Sequence, residues 1–321
     1  MQREIKRLLT VVLLATIVLS LPTNVTVAAA AMKRLVVAPQ KSVAIIDTGI
    51  DPTATDIRGA IVDEVCFSHN GTCPNGEAFM HGAKAATLPV AAMQNSIFEH
   101  GTEVVSAAIA LNKSARIIEV RCSSVKNVSD WEGCTYDDIA LVLSWLYTNA
   151  VDLNLGAVVL PMATNPTKSC DADVANQSHV ADLAAINIPV IASSGNNGNY
   201  GAVSNPACIP GVLAISAVDE VGKVARYANY SDRVDFASLG EFTVIVSKNK
   251  RVHAGGTSLS AGAFGAQWTL IESMKHQSMQ SQITWMKGVA TDAKALVGNA
   301  SIKVIPNDLS LYLASQSGTE S

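Results

Sequence analysis

Four residues have the chemistry that acyl transfer requires, and each lies beside or close to a glycine. They are Asp47 in IIDTGID, His100 in EHGTE, Asn196 in SSGNNG and Ser258 in GGTSLS. A serine nucleophile needs a base to take its proton, a carboxylate to orient that base, and hydrogen-bond donors for the oxyanion. Together, the four residues supply the nucleophile, the base, the carboxylate and a donor.

Each of these residues also has an ordinary structural interpretation. Ser258 could cap a helix, since serine is preferred at helix starts. His100 could be an isolated core or surface histidine, and Asn196 could be a turn residue. Asp47 could be a turn aspartate, but it also lies in an Asp-Thr-Gly sequence, the signature of aspartic proteases. Those enzymes need two such carboxylates, and the chain has one Asp-Thr-Gly, which makes an aspartic protease a minor alternative.

The elements that must position these residues alternate along the chain. This order predicts an α/β fold, a doubly wound, mainly parallel sheet with helices on both faces. Ligands in such sheets bind at the C-terminal ends of the strands, where Asp47 and Asn196 are expected. Strands are predicted at 41–47, 115–122, 156–162, 189–195 and 211–219, and helices at 99–111, 136–151, 173–188 and 261–273.

The sequence resembles the subtilisin-like serine proteases, or subtilases. The motifs that carry the resemblance are VAIIDTGID around Asp47, PVIASSGNNG around Asn196, HGT at 100–102 and GTS at 256–258. Their order, Asp then His then Ser, is the subtilisin order and differs from those of chymotrypsin and the α/β-hydrolases. Residues 36–315 resemble the family, particularly its exported bacterial members. The resemblance implies a serine-type endopeptidase.

The resemblance also implies a role for each residue. Ser258 would attack the scissile carbonyl, His100 would act as base and then as acid, and Asp47 would hold the imidazole. The Asn196 amide and the backbone N–H of Ser258 would bind the oxyanion, with the Thr257 hydroxyl as a further candidate donor. The substrate-binding residues that the resemblance implies are Pro161, Met162, Ala163, Ser194 and Gly195.

Several positions depart from the family pattern. Glu103 stands where the family usually has a second histidine, and Ser260 and Gly262 replace the usual alanine and proline. Where the family usually has Ser-x-Gly on its substrate strand, this chain has Met-Ala-Thr at 162–164, after a proline that lacks an N–H. We therefore expect a narrower or reshaped substrate pocket. The alternative function is a catalytically weak subtilase-fold protein that binds peptides or a partner protein.

The N-terminus has the layout of a secretory signal peptide. Basic residues precede an apolar run at 8–21, and small residues follow it up to the alanines near Ala30. The apolar run is short for a membrane span, although an uncleaved anchor stays an alternative. We therefore expect export to the periplasm or the medium, a signal peptide at 1–31 and a single peptidase domain at 32–321. We expect no recognisable pro-domain, because only about 15 residues separate the expected cleavage site from Asp47.

Six cysteines fit an exported protein, because disulfides form in oxidising compartments. Their number allows 15 pairings, and proximity along the chain favours Cys66–Cys73 and Cys122–Cys134, which leaves Cys170–Cys208. A second interpretation is a metal site built from the first pair with His69 and His81. Its spacing matches no familiar zinc pattern, so disulfides are favoured.

Composition limits the partners. The chain has 321 residues, 49% of them hydrophobic and 16% charged, so it can bury a large core. Its net charge is −4 and it contains no basic run, which argues against nucleic acid. We expect a polypeptide substrate, no membrane contact after signal cleavage, and no cofactor or metal in the chemistry. Structural calcium is common in the family, but no ligands can be assigned here, and the oligomeric state is not predicted.

Overall fold

The computed structural model describes residues 39–127, 129–275, 278–293 and 302–307. The predicted signal peptide lies outside the described residues. The five α-helices of the described residues are α1 (His100–Leu111), α2 (Tyr136–Thr148), α3 (Val174–Ala185), α4 (Thr257–Lys275) and α5 (Met279–Val289). The strands up to the middle of the chain are β1 (Ser42–Asp47), β2 (Ile61–Phe67), β3 (Phe79–His81), β4 (Arg116–Arg121), β5 (Ser124–Val125), β6 (Trp131–Glu132), β7 (Leu155–Leu160) and β8 (Pro166–Thr167). The later strands are β9 (Val190–Ser193), β10 (Val203–Ser204), β11 (Leu213–Val218), β12 (Phe236–Leu239), β13 (Glu241–Ser247), β14 (Lys250–Gly255), β15 (Thr291–Asp292) and β16 (Lys303–Val304).

One large sheet forms the centre of the fold. Its strand order is β15-β16-β12-β11-β9-β7-β1-β4-β2-β3. Every neighbouring pair from β16 to β2 is parallel, and the two edge pairs, β15–β16 and β2–β3, are antiparallel. The central strands β1, β7 and β11 are buried along their whole length. This explains their continuous apolar runs, because helices cover both faces of such strands.

The side chains of β1 alternate between two hydrophobic cores. Val43 and Ile45 belong to the core that also contains residues of α1, α4 and α5. Ala44 and Ile46 belong to the core on the opposite face, which includes residues of α2 and α3. The predicted mainly parallel sheet with helices on both faces is therefore confirmed.

The structure contains elements that the sequence did not predict, and some predicted boundaries differ. The sequence did not predict the antiparallel hairpin of β13 and β14, which leads into α4, or α5. Helix α2 begins with a capping box between Thr135 and Asp138 and ends at Thr148, before the predicted end at residue 151. In the described part of the chain, no helix is long and apolar enough to cross a membrane.

Candidate active site

The candidate site lies at the C-terminal edge of the sheet, beside β1. From β1 the sheet continues to β4 on one side and to β7 on the other, so the strand order reverses at this point. Such a topological switch leaves a crevice outside the strand ends, where ligands bind in doubly wound folds. Asp47 is the last residue of β1, and Pro161 follows directly after β7.

Asp47 and His100 form a hydrogen-bonded pair in this crevice. Nδ1 of His100 lies 2.8 Å from Oδ1 and 2.9 Å from Oδ2 of Asp47. The Asp47 side chain is 3% exposed, whereas that of His100 is 34% exposed. The backbone N–H of Thr48 also donates to Oδ1 of Asp47, at 2.6 Å. An ionised carboxylate can only accept a hydrogen bond, so Nδ1 must be the donor and carries the proton of the neutral ring. Nε2 is then the basic atom.

Two glycines allow this approach between β1 and α1. A Cβ added to Gly101 would overlap the carbonyl oxygen of Gly49, and one added to Gly49 would lie 2.6 Å from the carbonyl oxygen of Ala86. Gly49 also has a φ of +107°, a conformation that side-chain-bearing residues rarely adopt. The glycines beside Asp47 and His100 therefore bring the carboxylate and the imidazole together.

The pKa of His100 is raised above its usual value of 6.5. Burial of the ring lowers this pKa, but the negative charge of Asp47, the hydrogen bonds to it and the charge of Glu103 together outweigh burial. Glu103 lies one turn further along α1, which brings its side chain to the same side of the helix. The departure from the family pattern at this position thus adds a negative charge near His100.

Ser258 is the second residue of α4 and is 8% exposed. Its Oγ donates a hydrogen bond to the carbonyl oxygen of Pro161, at 2.6 Å. This hydrogen bond is a tertiary contact across the crevice and not a helix cap, because a capping serine accepts from the backbone of its own helix. Gly262 brings α4 against α1, since a Cβ there would lie 2.6 Å from Cγ1 of Val104.

Asn196 lies in the turn that follows β9, and Thr257 holds its side chain. The backbone N–H and the hydroxyl of Thr257 both donate to Oδ1 of Asn196, each at 2.9 Å. The Thr257 hydroxyl also accepts from the backbone N–H of Gly195, at 3.2 Å. The sequence predicted Thr257 as a further oxyanion donor, but its hydroxyl proton is directed at Asn196. We therefore assign it to orienting Asn196.

A single cleft of about 1000 Å³ contains most of the predicted site residues. Asp47, His100, Asn196 and Ser258 all line this cleft. Three of the five predicted substrate-binding residues line it as well, namely Pro161, Met162 and Ala163. The other two, Ser194 and Gly195, directly precede Asn196 and are buried, and the Ser194 hydroxyl donates to the carbonyl of Asn229. Their role in substrate binding stays a prediction.

The sequence did not indicate a further part of the cleft lining, an apolar wall. This wall includes Ile97 and residues 131 and 133–136, with the side chains of Trp131 and Tyr136. Ile97 is 41% exposed and Tyr136 is 46% exposed, so the wall presents apolar surface to the cleft. The signal that could have identified it is the disulfide loop that ends at Cys134, because a cross-linked loop beside a strand end is a good place for binding residues.

All six cysteines are paired as chain proximity suggested, in Cys66–Cys73, Cys122–Cys134 and Cys170–Cys208. The first disulfide removes two ligands of the alternative metal site, so that interpretation is wrong. Within the described residues, no group of three or more His, Cys, Asp or Glu side chains could hold a metal ion.

Glu119 is a buried acid that the sequence did not single out. It lies on β4, opposite Ile45 of β1 and Glu64 of β2. Its residue exposure is 0%, and neither carboxyl oxygen has a hydrogen-bond partner in the described residues. Burial, followed by the charges of Asp47 and Glu64, holds the pKa of Glu119 well above its usual range. Burial and these neighbouring charges therefore favour the protonated, neutral form of this side chain.

Comparison with known proteins gives one family. The model of the subtilase family matches residues 40–301. A thermophilic serine proteinase of Bacillus sp. (strain AK1) is 27% identical over 223 residues, covering 69% of this chain and 49% of that protein. A thermostable alkaline protease of Halalkalibacterium halodurans is 25% identical over 189 residues, covering 57% of this chain and 50% of that protein. The chain thus spans about half the length of these curated relatives.

Comparison with a solved structure supports the fold. A protease from Pseudoalteromonas arctica superposes with a TM-score of 0.67 at 19% identity, covering 85% of this chain and 90% of that chain. At this level of identity the likeness establishes a shared fold. Together with the strand order, it confirms the doubly wound α/β architecture.

Proposed function

This chain belongs to the subtilase family, and from that premise we propose that it is a serine endopeptidase acting on polypeptide substrates. The observation that carries the proposal is the hydrogen-bonded pair of Asp47 and His100 in one cleft with Ser258 and Asn196. These side chains provide the groups for a two-step hydrolysis through an acyl-enzyme.

In the first step, Oγ of Ser258 attacks the scissile carbonyl and gives its proton to Nε2 of His100. The Ser258 hydroxyl must first exchange its hydrogen bond with the Pro161 carbonyl for one with the imidazole. Asp47 stabilises the imidazolium that forms, which then protonates the leaving amine. A water molecule, deprotonated by the same imidazole, hydrolyses the acyl-enzyme and restores Ser258.

The oxyanion of the tetrahedral intermediate is stabilised by two donors. Nδ2 of Asn196 is available because Oδ1 is the atom held by Thr257. The backbone N–H of Ser258 lies in the first turn of α4, where N–H groups have no partner within the helix and the helix dipole favours negative charge. These donors act on the charge that develops only in the reaction.

Substrate binding is proposed along the cleft. Pro161, Met162 and Ala163 line it, and Ser194 and Gly195 contribute by supporting the turn that presents Asn196. No cofactor or metal is proposed for the chemistry, because these side chains supply the nucleophile, the base and the oxyanion donors. Structural calcium stays without assigned ligands.

We further propose that the protein is exported. Three disulfides in the described residues support this, because such bonds persist in oxidising compartments. The proposed division is a signal peptide at 1–31 and one peptidase domain at 32–321, a range that contains the residues matched by the family model. The final location is the periplasm or the medium.

Labelling with a fluorophosphonate probe tests the proposed function. The probe should modify the folded protein at Ser258, Ser258→Ala should abolish the labelling, and pepstatin should have no effect. Ser260→Ala is the matched control, since Ser260 lies in the same turn of α4 but is fully buried, with its hydroxyl directed at Ser238. Equal labelling of wild type and Ser258→Ala would reject the assignment of the nucleophile.

One observation favours a second candidate, a peptide-binding protein with weak or no catalysis. The Ser258 hydroxyl donates to the Pro161 carbonyl, and this hydrogen bond competes with proton transfer to His100. In that case the well-folded protein would bind peptides in the cleft but would not react with a fluorophosphonate. The labelling experiment therefore separates the two candidates.

A further inference from the structure

His69 makes two carboxylate contacts beside the substrate cleft. Nε2 of its ring lies 2.7 Å from Oε2 of Glu132, and Nδ1 lies 2.8 Å from Oδ2 of Asp138. His69 itself lies inside the short loop closed by the Cys66–Cys73 disulfide, which restricts where its ring can go. The sequence had suggested His69 as a metal ligand, but both ring nitrogens are directed at carboxylates.

This arrangement requires a protonated ring. Ionised carboxylates only accept hydrogen bonds, and a neutral imidazole has a single N–H, so one neutral ring cannot donate to both partners. The hydrogen bonds to Glu132 and Asp138 raise the pKa of His69 above its usual 6.5. Two further cations lie close by: Lys126 acts on Glu132, and Arg121 donates to the carbonyl of Thr72 in the His69 loop.

One of the two carboxylates lies within the segment that forms the apolar wall of the cleft, and the other lies two residues after it. Glu132 ends β6 directly after Trp131, and Asp138 lies in the first turn of α2, where it forms the capping box with Thr135. Residues 131 and 133–136 line the cleft. We call residues 131–136 the cleft wall. One imidazolium therefore holds both the β6 side and the α2 side of this wall.

We propose that His69 is a positioning residue that keeps the cleft wall in place for substrate binding when its ring is protonated. The inference rests on the proposed peptidase function and adds a control on substrate affinity to it. Loss of the proton breaks one of the two contacts. The contact to Glu132 breaks first, because this side chain is 59% exposed, whereas that of Asp138 is 6% exposed.

The two histidines must then be in opposite protonation states. His100 must be neutral to accept the proton of Ser258, whereas His69 must be protonated to hold the wall. Raising the pH through the pKa of His100 increases turnover, and raising it through the pKa of His69 loosens the wall and raises KM. The substrate class that senses this change is an extended polypeptide that contacts Trp131 and Tyr136, because a small acyl ester confined to Ser258 does not reach the wall.

The kinetic test measures kcat and KM against pH with a quenched-fluorescent peptide that the wild-type protein cleaves. We expect KM of the wild type to rise about 2–10-fold with pH above 6.5, in line with the strength of partly exposed ion pairs. His69→Gln should have the high KM at every pH, with kcat within about twofold. His69→Arg should keep the low KM at every pH, because a guanidinium stays charged and can donate to both carboxylates.

His81→Gln is the matched control. His81 also forms a hydrogen bond to a carboxylate, 2.8 Å from Asp63, but on strands β3 and β2 away from the cleft. Its removal should leave the KM profile unchanged. Identical KM profiles for wild type, His69→Gln and His69→Arg would overturn the proposal, and so would a change confined to kcat.

A measurement without turnover distinguishes failure of this inference from failure of the proposed function. In Ser258→Ala, fluorescence of Trp131, obtained as the difference from the same protein carrying Trp131→Phe, should change with pH above 6.5, and His69→Arg should remove the change. If the wild type neither cleaves peptides nor reacts with a fluorophosphonate, the proposed function fails while this titration still reports on the wall. A Trp131 signal independent of pH, in protein that remains folded, would overturn the inference.

Discussion

Thr257 determines which end of the Asn196 amide faces the cleft. A backbone N–H can only donate, so the atom of Asn196 that lies 2.9 Å from the Thr257 nitrogen must be Oδ1, and Nδ2 is left to donate elsewhere. The hydroxyl of Thr257 strengthens this orientation with a second hydrogen bond. A helix start that carries the candidate nucleophile, Ser258, thus also fixes the neighbouring oxyanion donor.

Asn196→Ala should therefore lower kcat by about 10²–10³, the range known for a subtilisin that loses one oxyanion donor. KM should change little, because the donor gains strength only when the carbonyl oxygen becomes charged. Steady-state kinetics with a cleaved peptide provide the measurement. Asn197→Ala is the control, since Oδ1 of Asn197 accepts from Asn229 in the turn. Equal losses at both positions, or a change in KM alone, would contradict the assignment.

Glu103→Gln should move the acidic limb of the kcat/KM profile to lower pH. The charge of Glu103 contributes to the raised pKa of His100, and His100 must lose its proton before it can act as a base. Without that charge, the imidazolium is less stable and loses its proton at a lower pH. The plateau rate at high pH should stay within about twofold.

Glu99→Gln is the control for this profile. Glu99 directly precedes His100 in the chain, but its carboxylate pairs with Lys250, at 2.6 Å. We expect its removal to leave the limb in place. A limb that moves equally in both variants would show that general surface charge, and not the position of Glu103 on α1, sets the pKa of His100.

The three disulfides should stabilise the fold to different degrees. They join cysteines 7, 12 and 38 residues apart. By loop-closure entropy they contribute about 2.4, 2.8 and 3.9 kcal/mol, respectively. Replacing Cys170 and Cys208 by serine should therefore cost the most in urea unfolding, and replacing Cys66 and Cys73 the least. The reverse order would show that local packing outweighs loop length.

The location of the candidate site residues could be predicted from the sequence, whereas the hydrogen bonds that hold them could not. Asp47 and Asn196 follow apolar runs that become parallel strands, and parallel strands place their C-terminal ends at one edge. That these two residues lie in one cleft could therefore be predicted from local sequence patterns. The contact between Ser258 and Pro161 was not, because the two residues are 97 positions apart. Hydrogen-bond partners at such separations depend on the final packing.

The contacts of His69 and the isolation of Glu119 were unpredictable for the same reason. The partners of His69 lie 63 and 69 residues away, and the sequence offered only a less favoured metal site for this histidine. Glu119 interrupts the apolar pattern of β4, and such a glutamate normally indicates an exposed position. Its burial follows from β1 and β2 on either side and from Gly101 above it, whose added Cβ would lie 3.1 Å from Oε1.

Glu119 should make the fold less stable as the pH rises. Its pKa is raised well above the usual 4.5 in the folded chain, so the folded state holds a proton that the unfolded state has lost. Between the unfolded and the folded pKa, this costs about 1.4 kcal/mol of stability for each pH unit. Glu119→Gln cannot ionise, so its free energy of unfolding should improve relative to wild type by that amount per unit as the pH rises above about 4.5.

Urea unfolding of both proteins at several pH values measures this difference, in which other titrating groups cancel. Glu64→Gln is the matched control, because Glu64 lies opposite Glu119 on β2 but has partners, with Arg58 at 2.9 Å and the backbone N–H of Ala86 at 3.2 Å. Loss of that ion pair should destabilise the protein at neutral pH. If the difference between wild type and Glu119→Gln were constant with pH, the carboxyl of Glu119 would have to be ionised or solvated in the folded chain.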